Sequence, residues 1–385
     1  MQPQQQNSAP AAAHDVRVAV DARPLTQSFN GIGHYLFQVL DHLLTAPRDA
    51  DVEWLLYSDS PIELPSHWQN TTARTGSISS RLIGVAFAQL TFGRWAHKDN
   101  ANVYWSPRHQ LPIGLPGNIP AVVTLHDLVF KNYPETMSRF GRYYEALFTP
   151  AALRRAHRII TTSRAVRSEL IETYPGCEAK SQAIALGSNL TAGECQQDSI
   201  PNPYAVFIGS MEPRKNLVRL IKAFKQLNEE SAEPLSLAII SGGGWNNAGT
   251  LELIEQNKDI LHYHHQATTE QKATLVNNAA FLALPSLYEG FGLPIVEAQK
   301  MGIPVLTSNR GAMREVAGNG AIYIDPESTS DIVRGLRMMF TDHQLRADLA
   351  ENAKISGAQY SWQTCANETL KTLRQASIAN PGVPT

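Results

Sequence analysis

Short apolar runs alternate with longer amphipathic stretches along this chain, and the alternation runs its course twice with a break between. That rhythm is the one a doubly wound α/β fold produces, because each buried strand must be followed by a helix that covers it. Val16–Val20 reads as a first strand ending at Asp21. A turn of small residues follows (Ser28-Phe29-Asn30-Gly31-Ile32-Gly33), then a helix from about His34 to Leu44. Glu53–Tyr57 and Val103–Trp105 read as strands, and Pro120–Leu125 as another, closed by His126-Asp127. Tyr143–Ala156 is helical, Arg158–Thr162 returns as a strand, and a helix opens near Ser163. From Gly187 to Pro203 the pattern lapses into Ser, Thr, Gly, Gln and Pro, a linker signal. Tyr204–Ile208 then starts a second series through Leu235–Ile240, Phe281–Leu284, Pro304–Thr307 and Ala321–Ile324.

Two such units predict two Rossmann-like α/β domains facing each other across a cleft. The expected division is an arm over 1–14, a domain over 15–186, a linker over 187–203 and a second domain over 204–358. A chain of 385 residues suits two cores better than one. The first fourteen residues, rich in Gln and Ala without a basic start or apolar centre, read as a disordered arm rather than a signal peptide. Three cysteines without CxxC spacing read as free thiols of a reducing compartment. No apolar run approaches the ~20 residues a membrane span needs. The expectation is a cytoplasmic protein, one that can rest on a membrane surface.

A net charge of −2 conceals a local bias: Arg74 to Arg167 holds thirteen Lys/Arg against four Asp/Glu. Such a block attracts anionic lipid or phosphorylated substrates, although arginines on solvated helices explain each one singly. No nucleic-acid motif accompanies it, so nucleic acid is not an expected partner. Within this block, Ser77–Lys98 has an apolar middle flanked by Arg81, Arg94 and Lys98. It reads equally as a membrane-surface helix and as a buried packing helix.

The chemistry concentrates in Pro285-Ser286-Leu287-Tyr288-Glu289-Gly290-Phe291-Gly292-Leu293-Pro294-Ile295-Val296-Glu297. A strand ends at Leu284, glycines loosen the turn, and Pro294 stands at the expected first helical position, where its missing N–H is harmless. Free N–H groups at such a helix start favour an anion such as a diphosphate, at the sheet edge where open α/β folds bind ligands. Glu289 can reach sugar hydroxyls, and Glu297, one turn into the helix, is placed for a ribose. Either glutamate alone would more often be a solvated charge.

A second cluster, Gly209-Ser210-Met211-Glu212-Pro213-Arg214-Lys215-Asn216, follows the first strand of the second unit. Adjacent Arg214 and Lys215 there can neutralise a departing diphosphate; the plainer reading is a capped surface loop. Asn30-Gly31-Ile32-Gly33 lets backbone approach a ligand, but Leu36 stands where a dinucleotide fingerprint would have its third glycine. His126 at a strand end can hydrogen-bond a sugar, or serve structure alone. His262, His264 and His265 alternate over both faces of a probable strand without a carboxylate at ligand spacing, so no metal is expected. Gly242-Gly243-Gly244-Trp245 reads as a permissive loop near a nucleotide base.

At these residues the sequence resembles the retaining family 4 glycosyltransferases of the GT-B fold, bacterial mannosyltransferase-like members among them. The resemblance runs from Val18 to about Thr369 and includes Gly31, Gly33, His126-Asp127, Arg214, Lys215, Glu289–Glu297 and Tyr360-Ser361-Trp362. It implies an N-terminal acceptor domain, a C-terminal nucleotide-sugar domain and a final helix, 359–376, crossing back to the first. It implies that Arg214 and Lys215 hold the diphosphate, Glu297 the ribose and Glu289 the transferred hexose, with His126 beside it. Gly209, Gly290, Phe291, Gly292, Leu293, Gly31 and Gly33 would line the donor. No cofactor or bound metal is implied. The chain carries Met313-Arg314-Glu315-Val316 where many members have Pro-Glu-Val.

The expected activity is transfer of a hexose, mannose or a related deoxyhexose, from a GDP-linked donor with retained configuration. The acceptor is a hydroxyl of a lipid-linked oligosaccharide in envelope polysaccharide (O-antigen-type) synthesis, at the inner face of the plasma membrane. A nucleotide-sugar epimerase shares this architecture, and a non-catalytic scaffold is the third reading; the intact Glu289, Glu297, Arg214 and Lys215 speak against the last.

Overall fold

In the computed structural model, residues 16–26, 31–45, 51–191, 200–201, 203–242 and 248–378 are described. Two sheets carry the chain. The first joins β1 (Val16–Asp21), β2 (Val52–Ser58), β3 (Thr71–Thr75), β4 (Val103–Ser106), β5 (Ala121–Leu125), β6 (Arg158–Thr161) and β7 (Ser181–Ala183) in the order β3-β2-β1-β4-β5-β6-β7. Its helices are α1 (Gly31–Leu44), α2 (Arg81–Lys98), α3 (Val129–Asn132), α4 (Arg139–Arg155) and α5 (Arg164–Thr173). The second sheet joins β8 (Tyr204–Ile208), β9 (Ser236–Ser241), β10 (Leu261–His265), β11 (Phe281–Leu284), β12 (Val305–Ser308) and β13 (Ala321–Ile324) in the order β10-β9-β8-β11-β12-β13. With it go α6 (Leu217–Glu229), α7 (Ala248–Glu255), α8 (Thr269–Asn277), α9 (Leu293–Lys300), α10 (Met313–Ala317), α11 (Thr329–Thr341), α12 (His343–Gly357) and α13 (Trp362–Ile378).

Both orders are the Rossmann order, with the first strand of each sheet beside the fourth. The neighbouring pairs β1–β2, β1–β4, β8–β9 and β8–β11 are all parallel. By packing, the chain divides into two compact units: Met1–Val123 with Arg155–Arg158 and Thr369–Thr385, and Thr124–Arg154 with Ile159–Glu368.

In the first unit α1 buries Tyr35, Leu36, Val39, Leu40 and Leu43, spaced to form one helical face. The rings of Tyr57, Phe92 and Trp95 pack together between β2 and α2, with centroids 5.5–5.9 Å apart. At the carboxyl end of β1 the guanidinium of Arg23 grips Asp21 in two bonds of 2.8 and 2.5 Å. Burial alone would raise the Asp21 pKa, yet the charge and hydrogen bonds of Arg23 lower it.

In the second unit α6 buries Leu217, Leu220, Ile221, Phe224 and Leu227. Phe340 from α11 stands edge-on to Phe224 and Phe281 at 5.7 and 4.8 Å. Helix starts are capped as sequence chemistry dictates. Ser163 accepts from Val166 N at 3.1 Å, and Thr268 with Gln271 forms a reciprocal box.

Two strands carried no legible signal. β3, Thr-Thr-Ala-Arg-Thr, and β7, Ser-Gln-Ala, lie at the edges of the first sheet and lack the apolar run that marks an interior strand. α1 opens at Gly31, three residues before the expected start, so Gly31 and Gly33 belong to its first turn rather than to a loop. The rest of that expected turn, 28–30, lies outside the described residues, as do the arm over 1–14, much of the linker and residues 243–247.

Candidate active site

The second sheet reverses its winding between β8 and β11, and the loops leaving those two strands diverge from the switch point. One carries Gly209–Asn216, the other Pro285–Gly292. This topology joins residues some 75 positions apart in sequence. Leu287 N donates to Arg214 O at 2.8 Å. Asn216, in the left-handed region at φ 61°, extends its amide to Pro285 O (3.0 Å) and Pro326 O (2.7 Å). Asparagine tolerates that backbone well, and its side chain ties three loops.

On this frame Glu289 is enclosed by cations. Arg214 Nη1 donates to Tyr288 O at 2.7 Å and to Glu289 Oε2 at 2.9 Å. Lys215 Nζ donates to Glu289 Oε1 at 2.6 Å, and the fully buried Ser286 hydroxyl to the same oxygen at 2.7 Å. Glu289 is 5% exposed. Burial pushes its pKa up, but the charges of Lys215 and Arg214, with the Lys215 and Ser286 hydrogen bonds, bring it down to about 2. The two cations thus favour the ionised form of Glu289. For Arg214, burial alone would lower the pKa; the carboxylates of Glu289, Asp127 and Glu212 raise it instead.

The turn after Glu289 is packed so tightly that only glycine fits. A Cβ on Gly290 would meet the His126 carbonyl oxygen at 1.8 Å. Thr162 Oγ lies 3.0 Å from that oxygen and 3.1 Å from Gly290 O, which also accepts from Ser163 Oγ at 2.9 Å. Gly311, at φ +55°, lies against the Glu289 backbone, and Ala312 N donates to Glu289 O at 2.9 Å. Tyr288 directs its hydroxyl to Glu169 Oε2 at 2.6 Å.

α9 begins at Leu293 with Gly292 (φ +95°) as its cap, so Pro294 is the second helical residue rather than the first. Glycine at positive φ turns the chain into the helix one residue early. Glu297 is 8% exposed and meets a cation that sequence reasoning missed: Lys272 of α8, its Nζ 2.6 Å from Oε1. The other oxygen, Oε2, is buried with no hydrogen-bond partner. The two glutamates thus sit in separate ion clusters and share no cation.

The remaining candidates fall as follows. The backbone of His126 packs on Gly290 in the second unit. Asp127 accepts from Val129 N at 3.1 Å and lends its charge to Arg214. Gly209 leaves room for the Lys215 chain, whose Cδ would lie 3.5 Å from an added Cβ. Phe291 packs edge-on to Tyr360 at 5.6 Å. Gly31 and Gly33 belong to the first unit, where Gly31 faces open space. Glu315, in the segment that departs from Pro-Glu-Val, accepts from Arg164 N and Ala165 N and caps α5. Ser286 and Lys272 were the site residues without a local signal: a serine is commonplace, and Lys272 lies a whole helix away from its partner.

A family model described as "Glycosyltransferase Family 4" matches residues 29–191, and one described as "Glycosyl transferases group 1" matches 197–356. The chain belongs to glycosyltransferase family 4. This family 4 chain is 27% identical over 383 residues to O-antigen chain mannosyltransferase B of Escherichia coli, covering 93% of this chain and all of the relative. In fold it is similar to sucrose-phosphate synthase from Thermosynechococcus elongatus, with a TM-score of 0.75, 18% identity and coverage of 94% and 100%. It is also similar to Anabaena HepE, solved in complex with UDP and glucose, at a TM-score of 0.71, 18% identity and coverage of 94% and 100%. The two Rossmann-like sheets of this glycosyltransferase are those of the GT-B fold.

Proposed function

We propose that this glycosyltransferase moves a hexose, mannose or a related deoxyhexose, from a GDP-linked donor to a hydroxyl of a lipid-linked oligosaccharide, in the building of an O-antigen-type polysaccharide. The observation that carries the reading is the Arg214–Lys215 pair meeting Glu289 at the switch point of the second sheet. Two buried-side cations there suit a diphosphate leaving group. Glu289 suits the hexose hydroxyls, and Glu297, with its unpartnered Oε2, suits the ribose. His126 would stand beside the hexose. The name of the full-length Escherichia coli relative supports mannose and an O-antigen acceptor.

In the transfer the bond between the anomeric carbon and the diphosphate oxygen breaks, and the acceptor oxygen bonds to that carbon on the same face. The acceptor proton passes to the leaving phosphate, so configuration is retained and no protein base is required. Positive charge from Arg214 and Lys215 does the work a metal would otherwise do, and the reaction is metal-independent.

The protein would dock on the anionic inner face of the plasma membrane through α2. That helix packs Ala88, Phe92 and Ala96 inward and leaves Leu82, Ile83 and Leu90 about 60% exposed, with Arg94, His97 and Lys98 further along. Ile113, 69% exposed, joins them, its N–H bonded to Gln89 of α2 at 2.9 Å. Among the described residues no helix is long and apolar enough to cross a membrane.

The test is a thermal-shift panel of nucleoside diphosphates followed by a transfer assay. GDP should stabilise the protein and UDP should not, and GDP-mannose should be consumed only when an acceptor is present. Donor turnover without acceptor would point to an epimerase instead.

A further inference from the structure

The Glu289 carboxylate stands where the proposed donor would place its diphosphate. Its two oxygens lie 2.9 Å from Arg214 Nη1 and 2.6 Å from Lys215 Nζ. The two cationic side chains are only 15% and 12% exposed, so water can do little to replace a lost partner. Glu212 Oε2 lies 3.4 Å from Arg214 Nη2. With Asp127, whose charge also acts on Arg214, three carboxylates offset the two positive charges, so the site holds no surplus positive charge to attract a phosphate.

We propose that Glu289 is an internal counter-ion which every nucleoside diphosphate must displace, and that this displacement selects the sugar-bearing donor over the nucleoside diphosphate left after transfer. The inference rests on Arg214 and Lys215 being the diphosphate site. A carboxylate and a diphosphate cannot share two largely desolvated cations, because like charges repel strongly where water is scarce. The displaced Glu289 must then find new hydrogen-bond donors. A bound hexose supplies them through its hydroxyls. The nucleoside diphosphate alone supplies none there, so it bears the loss of the ion pairs uncompensated. Once the hexose has left on the acceptor, Glu289 returns to its cations and expels the diphosphate. The carboxylate that orients the donor sugar also drives product release.

The experiment is calorimetric titration of GDP and GDP-mannose, with UDP and UDP-glucose alongside, into the wild type and Glu289→Gln. Glutamine keeps the shape and the capacity to bond hydroxyls but removes the charge. The nucleoside diphosphate should bind roughly tenfold more tightly to the variant, while the nucleotide sugar changes by less than about threefold. Unchanged or weaker diphosphate binding to a folded Glu289→Gln would overturn the proposal. Ser286→Ala serves if that variant does not fold. It keeps the charge but removes one anchor of the resting carboxylate, and should shift the same ratio in the same direction by a few-fold; an unmoved ratio overturns the idea. A wild type that binds no nucleotide at all refutes the donor-site reading and this inference with it. Nucleotide binding with an unmoved ratio refutes this inference alone.

Discussion

Lys272 Nζ lies 2.6 Å from one oxygen of Glu297, and the other oxygen of that carboxylate is buried with no partner. A buried acceptor left open is expensive unless a ligand completes it. A pair of vicinal hydroxyls, as on a ribose, would do so. Glu297→Ala should therefore weaken nucleoside-diphosphate binding by about 1.5–3 kcal/mol, or some ten- to a hundredfold, as measured by calorimetry. A loss of similar size with a 2′,3′-dideoxyribose analogue on the wild type, and none further on the variant, would assign the contact to the ribose. Equal binding of the nucleoside diphosphate and its dideoxy analogue by the wild type would remove Glu297 from that role.

The ion pairs of Glu289 predict an acid limb in stability. Its folded pKa of about 2 lies below the ordinary 4.5, so ionisation stabilises the folded state above pH ~4.5 and that stability is lost as pH falls toward 2. A shift of that size corresponds to about 3 kcal/mol. By denaturant unfolding at pH 7, Glu289→Gln should be less stable than the wild type by a comparable amount, and the gap should narrow below pH ~4.5 and close only as pH falls toward 2. A gap independent of pH would mean that packing, not charge, sets the difference.

Glycine positions separate sharply. A Cβ at Gly290 meets a backbone carbonyl at 1.8 Å, whereas one at Gly31 meets nothing within 4 Å. Gly290→Ala should lower the melting temperature by several degrees and abolish transfer, because the turn bearing Glu289 would have to move. Gly31→Ala should change stability by less than about 0.5 kcal/mol. Differential scanning of both variants checks the contrast.

On the proposed mechanism, in which Arg214 and Lys215 supply the positive charge, transfer should proceed at an unchanged rate in excess EDTA. Lys215→Ala should reduce kcat/KM by at least about a hundredfold without restoring a metal requirement. A rate that falls in EDTA and returns with magnesium would contradict the proposed metal-independent mechanism.

Replacing Leu82, Ile83 and Leu90 together by serine should reduce binding to anionic vesicles by at least roughly tenfold. Wild-type binding should also weaken as salt rises, because Arg94 and Lys98 act through screened charge. Co-sedimentation that is absent, or insensitive to both changes, would rule the α2 face out as a membrane surface.

Much of this protein was legible before folding. Interior strands such as Tyr204–Ile208 and Phe281–Leu284 announce themselves because both faces are buried and the run is wholly apolar. Edge strands such as Thr71–Thr75 have no such run. Arg214, Lys215 and Glu289 could be singled out because each follows a strand end, where α/β folds put their chemistry. Local pattern also located the turn into α9, although the positive φ of Gly292 moved the helix start by one residue.

The pairings among these groups were a different matter. Sequence determined the periodicities, the glycine turns and the family, all of which depend on near neighbours and backbone preference. It could not say that Glu289 rests on Arg214 and Lys215, that Ser286 holds the same oxygen, or that Lys272 reaches Glu297. Those contacts join loops brought together only when parallel strands from distant segments align at the switch point, and burial then strengthens each charge pair. The tertiary structure decided that the two glutamates belong to separate clusters, one a counter-ion already in place and the other an acceptor left open.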